Sequence, residues 1–453
     1  MDKSIIIWAW EAWTQLKNLL INRWEHFLWF LDDNSNNKDV IWRISDLKTI
    51  IENNKINRIF FAIASFENTE LLTKISEIAS RHNITLKVIP SLIDIVDWNV
   101  DFNKIRKVEI EDLLWRPVNK SSIKRIHSFI KWKNILVTWA WWTIWWELVK
   151  QLSYYWAKKI IWIDNSEIAI FNIANKLSNH DNLAFLIRDI KNKKSLNEIF
   201  QEEKIDIVFN AAAYKHVYLM ELNSQEAITN NVIWLKNIIE VSIENNVKHF
   251  CQISTDKAVN PTNIMWATKR LWELILQYYS SKFKNININS VRFGNVLWSS
   301  WSVLTIFKEQ IEKWENLTVT DENVTRFFMS IEEAVNLVIT SVTLNDKWKI
   351  YVLDMWEAVK IIDLASQYIK LSWVKNIWID IIWLKPWEKL YEELILDNSK
   401  DKKTNIEKLF ITEDKWNINN LLEKIDDLSI INNKKKLIVE IKNIIPEFKH
   451  IER

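Results

Sequence analysis

Residues 134–150 read NILVTWAWWTIWWELVK, and the fold turns on how the five tryptophans in this run are understood. With glycine in their places the run becomes NILVTGAGGTIGGELVK: an apolar strand, a glycine-rich turn and the start of a helix. Glycines in such a turn permit positive φ, let the backbone approach a pyrophosphate and let the helix pack close to the strand. An indole at any of these points fills the space the ligand needs. The whole chain repeats the anomaly, with 29 Trp and 1 Gly among 453 residues. Average usage puts Gly at about 7%, or roughly 32 residues here, and Trp and Gly together come to 30. The tryptophans are therefore read as glycine positions, written with a codon that the source translates as glycine. Some bacterial lineages reassign UGA in this way, and the excess of Asn, Ile and Lys fits an AT-rich genome. Residues keep their printed names, so Trp139 denotes a position read as glycine.

At this length two domains are expected. The formal net charge of +2 is close to balance and points to neither nucleic acid nor an anionic membrane. The single cysteine, Cys251, excludes a disulfide framework within the chain and a cysteine-based zinc cluster, and its apolar surroundings predict a buried, inert thiol. No metal site is expected. No apolar run reaches the ~20 residues of a membrane span. The opening MDKSIIIWAW lacks a signal-peptide layout. The expectation is a cytoplasmic chain.

Apolar runs alternate with amphipathic stretches, which predicts an α/β fold: two Rossmann-like doubly wound parallel-sheet domains. Residues 1–95 form the first. Ile5-Ile6-Ile7 leads into Trp8-Ala9-Trp10-Glu11-Ala12-Trp13, restored as GAGEAG. Asp32 and Asp33 follow about 20 residues later, where a ribose-binding acid would lie. Further strands are predicted at 58–63 and 85–89. Residues 96–130 read as a connector. Residues 131–453 form the second domain, with strands near 134–138, 159–163, 184–187, 206–210, 248–253 and 288–293 and a smaller C-terminal substrate lobe. The polar stretch 394–436 reads as a solvated face, followed by a helix at 434–444.

The second glycine turn is the predicted NAD site. Thr138, Trp139, Trp142, Thr143, Ile144 and Trp145 form it, and the helix that follows offers its N-terminal amides to the pyrophosphate. Asp164, ending the next strand, is placed to hold the adenosine ribose and repels a 2′-phosphate, which favours NAD over NADP. Asp189 is placed for the adenine edge. Ala211 and Ala212, in Asn210-Ala211-Ala212-Ala213-Tyr214-Lys215-His216-Val217, are small enough to line the nicotinamide side. Lys215 is a candidate substrate contact, and His216 reads as structural. Ser254-Thr255-Asp256-Lys257 ends the fifth strand, where ligands bind in open parallel sheets. Met265 and Lys269 then stand four apart on one helix face. Short-chain dehydrogenases usually carry tyrosine at the first of these positions, and methionine cannot move a proton. Lys269 can still hold the nicotinamide ribose.

The restored chain closely resembles the bacterial nucleoside-diphosphate-sugar 4,6-dehydratases of polysaccharide biosynthesis, the CapD-like family of extended short-chain dehydrogenases. Within it the chain is most similar to the large UDP-N-acetylglucosamine 4,6-dehydratases, here without their membrane helices. The motifs are AAAYKHV, STDKAVNPTN, MWATKRLWE, VRFGNVLWSSWSV, TRFFMSIEEA, LDMWEAVKI, KPWEKLYEEL and the closing PEFK, over roughly 300 residues. Methionine at 265 is itself a mark of the large subgroup. Tyr218, Leu235 and Lys385 depart from the family pattern, which bears on fine substrate contacts and not on the reaction.

The resemblance implies NAD as cofactor and an internal redox dehydration of a UDP-sugar: hydride leaves C4, the resulting ketone acidifies C5, the C6 hydroxyl departs and hydride returns to C6. It implies Thr255 at the C4 oxygen, Asp256 as acid at C6 and Lys257 as base at C5. Such an acid must be protonated and such a base neutral, which a dry site disfavouring charge can provide. Asn295 and Arg326 are candidates for the sugar diphosphate, because Arg grips phosphate in a bidentate fork. Arg292 reads equally well as a salt-bridge partner. A homo-oligomer is expected. Two other functions stay open: a UDP-sugar 4-epimerase, which needs neither C5 base nor C6 acid, and a non-catalytic sensor of NAD or nucleotide sugars.

Overall fold

The computed structural model describes residues 3–8, 26–31, 43–54, 56–62, 69–82, 84–88, 106–107, 120–138, 143–177, 182–297, 302–344, 346, 348–355, 358–372, 374, 376–384, 388–394, 401–412 and 420–451. The chain divides into two compact units. One comprises Met1–Pro117, Phe307–Val319 and Ile362–Asp380, the other Val118–Ile306, Thr320–Ile361 and Ile381–Arg453.

In the first unit Ile5, Ile6 and Ile7 are all buried in Lys3–Trp8 (β1), as a strand covered on both faces requires. It pairs in parallel with His26–Leu31 (β2) and Arg58–Ala62 (β3), and β3 pairs in parallel with Thr85–Val88 (β4). The two-residue Arg106–Lys107 (β5) closes the order β2-β1-β3-β4-β5 as an antiparallel edge. Ile5, Ile7, Ile59 and Phe61 pack with buried residues of helices Leu47–Asn53 and Thr69–Arg81. The strand order turns at β1, a switch point of the doubly wound kind. The glycine turn expected after β1, with Asp32 and Asp33, lies outside the described residues. Two stretches beyond residue 300 belong to this unit, and Leu371 packs on its core. No feature of the sequence announces them.

The second unit is built on Asn134–Thr138 (β6), Lys159–Asp164 (β7), Leu183–Ile187 (β8), Ile207–Asn210 (β9), His249–Ile253 (β10), Asn287–Arg292 (β11) and Lys349–Leu353 (β12). From β8 the parallel order runs β8-β7-β6-β9-β10-β11-β12. Its first six strands follow the dinucleotide-fold order. Alternate residues face two cores: Leu136, Ile161 and Val208 enter one, while Ile135, Val137, Ile160, Ile207 and Phe209 enter the other. The strands expected from the sequence are all present. Asp401–Lys403 (β13) and Leu409–Thr412 (β14), from the stretch read as a solvated face, extend the sheet antiparallel beyond β12. Helix Leu421–Ile430 follows, with Leu421, Ile425 and Leu428 buried. Its apolar stripe is three residues among many charges, too thin to stand out in the sequence. Helix Lys434–Ile444 falls where expected. Among the described residues no helix is long and apolar enough to cross a membrane.

Three tryptophans take left-handed backbone: Trp132 (φ 65), Trp156 (φ 63) and Trp314 (φ 58). Each stands two residues beyond a helix, after Lys120–Ile130, Thr143–Tyr154 and Val303–Glu312. After the second helix the Ala157 N–H donates to the Leu152 carbonyl and the Trp156 N–H to Ser153. After the third, the Glu315 N–H donates to Gln310 and the Trp314 N–H to Ile311. Both patterns are Schellman motifs, whose left-handed position is usually glycine. The three indoles are 68%, 59% and 75% exposed, and the contacts of Trp132 and Trp156 are with the surface groups Lys131 and His127, so none of the three rings is part of a core. Trp162 is fully buried in β7 with its indole N–H unpartnered, which costs about 1–3 kcal/mol. Each observation fits a position at which glycine belongs.

Candidate active site

The switch point of the second sheet lies between β6 and β9, and the carboxyl ends of these strands carry a buried polar chain. The Thr138 hydroxyl donates to Asn210 Oδ1 at 2.6 Å, and Asn210 Nδ2 donates to Gln252 Oε1 at 2.6 Å. This chain ties β6, β9 and β10 together at one level and fixes where the following loops begin.

Three cavities open above it. One of about 220 Å³ is lined by Thr138, Asp164, Ser166, Asp189, Ala212 and Trp234. It gathers Asp164 and Asp189, expected at the adenosine end, together with Ala212, which the sequence placed on the nicotinamide side but which lines this cavity and not the next one. Asp164 Oδ1 accepts from the Ser166 N–H at 2.7 Å, which holds the carboxylate at the strand end. A second, of about 240 Å³, is lined by Ile144, Trp145, Ala211, Lys215, Thr255, Lys257, Met265, Lys269 and Asn295, among others. Its volume falls below the ~300–1,000 Å³ usual for ligand pockets. Trp145, only 2% exposed, and Trp266 stand in its wall. Trp139 and Trp142 lie outside the described residues. Thr143 opens helix Thr143–Tyr154, so this helix starts where the cofactor turn was expected to deliver it.

Lys269 lies on helix Ile264–Lys282, whose start is capped by Asn263 accepting from the Trp266 N–H at 2.9 Å. Burial, and then the neighbouring Lys215 ammonium, push Lys269 well below the usual lysine range. Its Nζ sits 3.7 Å from the ring centre of Trp272. Burial also brings Lys215 down to about 8. His216 is lowered by burial and by Lys215, and it immediately precedes helix Val217–Leu222.

The third cavity, of about 330 Å³, holds the acid–base cluster: Lys215, Asp256, Lys257, Met265, Asn295, Arg326, Glu388 and Glu392 line it. Asp256–Ala258 forms a short 3-10 turn after β10, with the Thr255 hydroxyl accepting from the Lys257 N–H. That turn folds the Asp256 side chain inward until it is 0% exposed. Its Oδ1 accepts from the Thr255 hydroxyl at 2.6 Å and stands 3.0 Å from Lys257 Nζ.

The sequence leads one to expect a neutral acid and a neutral base; the structure shows an ion pair instead. Burial pushes the Asp256 carboxyl up, but the Lys257 ammonium and hydrogen bonds from its neighbours bring it net below the usual range. Burial lowers Lys257, yet Asp256 and Glu392 hold it above its ordinary value. Each charge offsets the desolvation of the other, which a sequence-level argument from dryness alone leaves out.

Glu392 was not among the residues expected at the site; its side chain is 4% exposed and its Oε1 lies 2.8 Å from Lys257 Nζ and 3.3 Å from Arg326 Nε. Burial, then the charge of Asp256, push it up to about 7 against Lys257 and Arg326. Asn295 Nδ2 donates to Glu392 Oε2 at 3.1 Å, and Arg326 Nη2 donates to Glu388 Oε1 at 2.9 Å. Asn295 and Arg326, expected at a diphosphate, are thus both engaged with these carboxylates. The only available signal was the acidic spacing of KPWEKLYEEL, which is silent about what the carboxylates face.

Arg292 resolves as structural. It is fully buried, and its Nε and Nη2 each lie 2.7 Å from Glu273, which also binds Arg270 at 2.6 Å. Gly294, two residues on, is needed for closeness: a Cβ there would lie 3.1 Å from Phe327 Cβ. Cys251 is buried as expected, its thiol pushed up to about 12 by burial.

Comparison with known proteins agrees with this architecture. The chain is 38% identical over 373 residues to capsular polysaccharide biosynthesis protein CapD of Staphylococcus aureus, covering 81% of this chain and 62% of that one. It is 32% identical over 247 residues to a UDP-N-acetylglucosamine 4,6-dehydratase (inverting) of Campylobacter jejuni, covering 54% and 71%. It is 38% identical over 187 residues to a UDP-glucose 4-epimerase of Rickettsia canadensis, covering 39% and 54%. Among solved structures, Pen from Bacillus thuringiensis aligns with a TM-score of 0.58 at 31% identity, over 63% of this chain and 90% of its own. Residues 135–414, well over half the chain and all three cavities, match one family model throughout, and the chain belongs to the family of polysaccharide biosynthesis proteins that this model describes.

Proposed function

We propose that this protein catalyses the NAD-dependent 4,6-dehydration of a UDP-N-acetylhexosamine, with UDP-N-acetylglucosamine as the first substrate to try. One observation carries the proposal: a buried Asp256–Lys257 pair beside Met265, where the two cavities that share Lys215, Lys257, Met265 and Asn295 meet. An epimerase has no use for a buried acid and base at that point.

The residues suit NAD once the tryptophan positions are glycine. Asp164, Ser166 and Asp189 offer the carboxylates and hydroxyl that an adenosine ribose needs, and Ala211, in the neighbouring cavity, leaves room for a flat ring. Trp145 is the obstacle, and the glycine reading removes it. NAD, when bound, supplies the hydride acceptor and donor. The chain supplies the rest. In this reading Thr255 holds the C4 oxygen, Lys257 takes the C5 proton, Asp256 protonates the departing C6 oxygen and Lys269 holds the cofactor ribose. Positioned acid–base groups of this kind each contribute about 10²–10⁴-fold.

The test is the mass of the product formed from UDP-N-acetylglucosamine by the chain carrying glycine at the 29 positions. Loss of one water supports dehydration. A product of unchanged mass with an inverted C4 supports the epimerase instead.

A further inference from the structure

The acid–base turn Asp256–Ala258 and the helix that carries Met265 and Lys269 are joined by residues 259–263, which form neither helix nor strand. With no hydrogen-bond ladder of its own, this connection depends on outside partners. Two come from the segment 447–451. The Lys449 N–H donates to the Pro261 carbonyl at 3.0 Å, and the Ile451 N–H to the Thr262 carbonyl at 3.1 Å. That segment is itself anchored. Phe448 is buried in the core, and Glu447 Oε1 accepts from Arg270 Nε, on the same helix, at 2.9 Å.

Glu221 holds the far end of the connection. It lies on helix Val217–Leu222, just after Lys215 and His216. Its Oε1 accepts from the Ile264 N–H at 2.8 Å. Ile264 opens the Met265 helix, where the first N–H groups lack intrahelical partners and favour a negative charge. Glu221 Oε2 lies 2.7 Å from Lys434 Nζ and 3.0 Å from His450 Nε2, so the same carboxylate also holds the 447–451 segment. Burial pushes Glu221 up, but His450, Lys434 and the Ile264 N–H bring it down to about 2, so it remains a carboxylate near neutrality.

We infer that Glu221, with the backbone N–H groups of Lys449 and Ile451, is a positioning brace that sets the spacing between the acid–base pair and Lys269. This rests on the dehydratase reading and deepens it. In that reaction one sugar presents C4 and C6 to the cofactor side while C5 and the C6 oxygen meet Lys257 and Asp256. Thr255, Asp256 and Lys257 stand before residues 259–263, and Met265 and Lys269 just after them. A shift along the connection therefore moves one set against the other without touching either. Near the acid–base turn the connection is held by Lys389, whose Nζ donates to the Val259 carbonyl at 3.1 Å, and by Glu393, which accepts from Asn260 Nδ2 at 3.2 Å. Near the helix it is held by the brace. A misplacement of about 1 Å far from the chemistry can cost about 10²-fold.

The experiment uses the full glycine-bearing chain and UDP-N-acetylglucosamine. It reads kcat and KM for water loss beside retained NAD, the urea midpoint and amide hydrogen exchange across residues 259–268. Lys449→Pro removes the N–H offered to Pro261, and Lys449→Ala keeps it. Glu221→Ala removes the acceptor at Ile264, and Glu221→Gln keeps one. The expected kcat is lower by about 10–10²-fold in Lys449→Pro and Glu221→Ala, with KM and retained NAD close to those of the parent. The Ile264 amide exchanges faster in Glu221→Ala. Lys449→Ala recovers the rate, and Glu221→Gln exceeds Glu221→Ala. Parent kcat in both disrupting variants overturns the inference. So does a loss of kcat and retained NAD in step with the unfolded fraction, which marks plain scaffolding. A parent chain that inverts C4 without losing water sinks the dehydratase reading instead, and the same variants then test the brace on that turnover.

Discussion

The two sides of the site carry their chemistry in different ways. On the nucleotide side the backbone does the work: a tight turn, close approach and a helix start. There the printed chain has Trp139, Trp142 and Trp145. On the acid–base side the side chains do the work, and Thr255, Asp256, Lys257, Asn295, Arg326, Glu388 and Glu392 are all intact and mutually bonded. Helix ends repeat the division, with tryptophan in the left-handed place of two Schellman motifs. Tryptophan has not spread at random. At Trp132, Trp156 and Trp314 it stands where glycine's missing side chain matters, which is what the reading of these positions as glycine predicts.

The largest effect that tests this division belongs to the nucleotide side. The printed chain is expected to bind no NAD, and the chain with glycine at the tryptophan positions to bind it, read by cofactor retained after gel filtration. Equal binding by both forms breaks the comparison. On the acid–base side, Asp256→Asn in the glycine chain is expected to cut dehydration by about 10²–10⁴-fold. Retained NAD should be unchanged. Loss of NAD in that variant would mean the two sides are not separate. Glu273→Gln leaves the buried guanidiniums of Arg270 and Arg292 without their counter-charge. Breaking a buried pair in this way costs about 3–5 kcal/mol, read as a shifted urea midpoint. A shift near zero would reassign Arg292 from scaffold to substrate. The smallest effect is at the helix ends. Trp156→Gly and Trp314→Gly, each made alone in the printed chain, are expected to stabilise it by about 1–2 kcal/mol, the strain of a left-handed non-glycine residue. Destabilisation by either would show that the exposed indole contributes packing instead.

Much of the fold was legible because it rests on local pattern. Ile5-Ile6-Ile7 and Ile135-Leu136-Val137 are continuous apolar runs that only a doubly covered parallel strand explains. The glycine turns pointed to doubly wound parallel sheets, and the order of the strands came from the structure. The motif 254–257 was legible as a site because it ends a strand at the carboxyl edge of the sheet. What stayed hidden depends on distance in sequence. Glu392 reaches Lys257 across 135 positions, and nothing in KPWEKLYEEL shows that it faces a lysine. The charges of Asp256 and Lys257 rest first on each other and then on Glu392, and that last contribution was hidden for the same reason. The edge strand β13 was hidden by its composition, Asp401-Lys402-Lys403, and β14 by its length of only four residues.

The most direct measurement is the mass of the peptide spanning residues 134–150, taken from the protein isolated from its own source cell. Glycine at 139, 141, 142, 145 and 146 is the expected result. Tryptophan at those five positions would contradict the account, because the turn that defines the cofactor side would then be closed in the living protein.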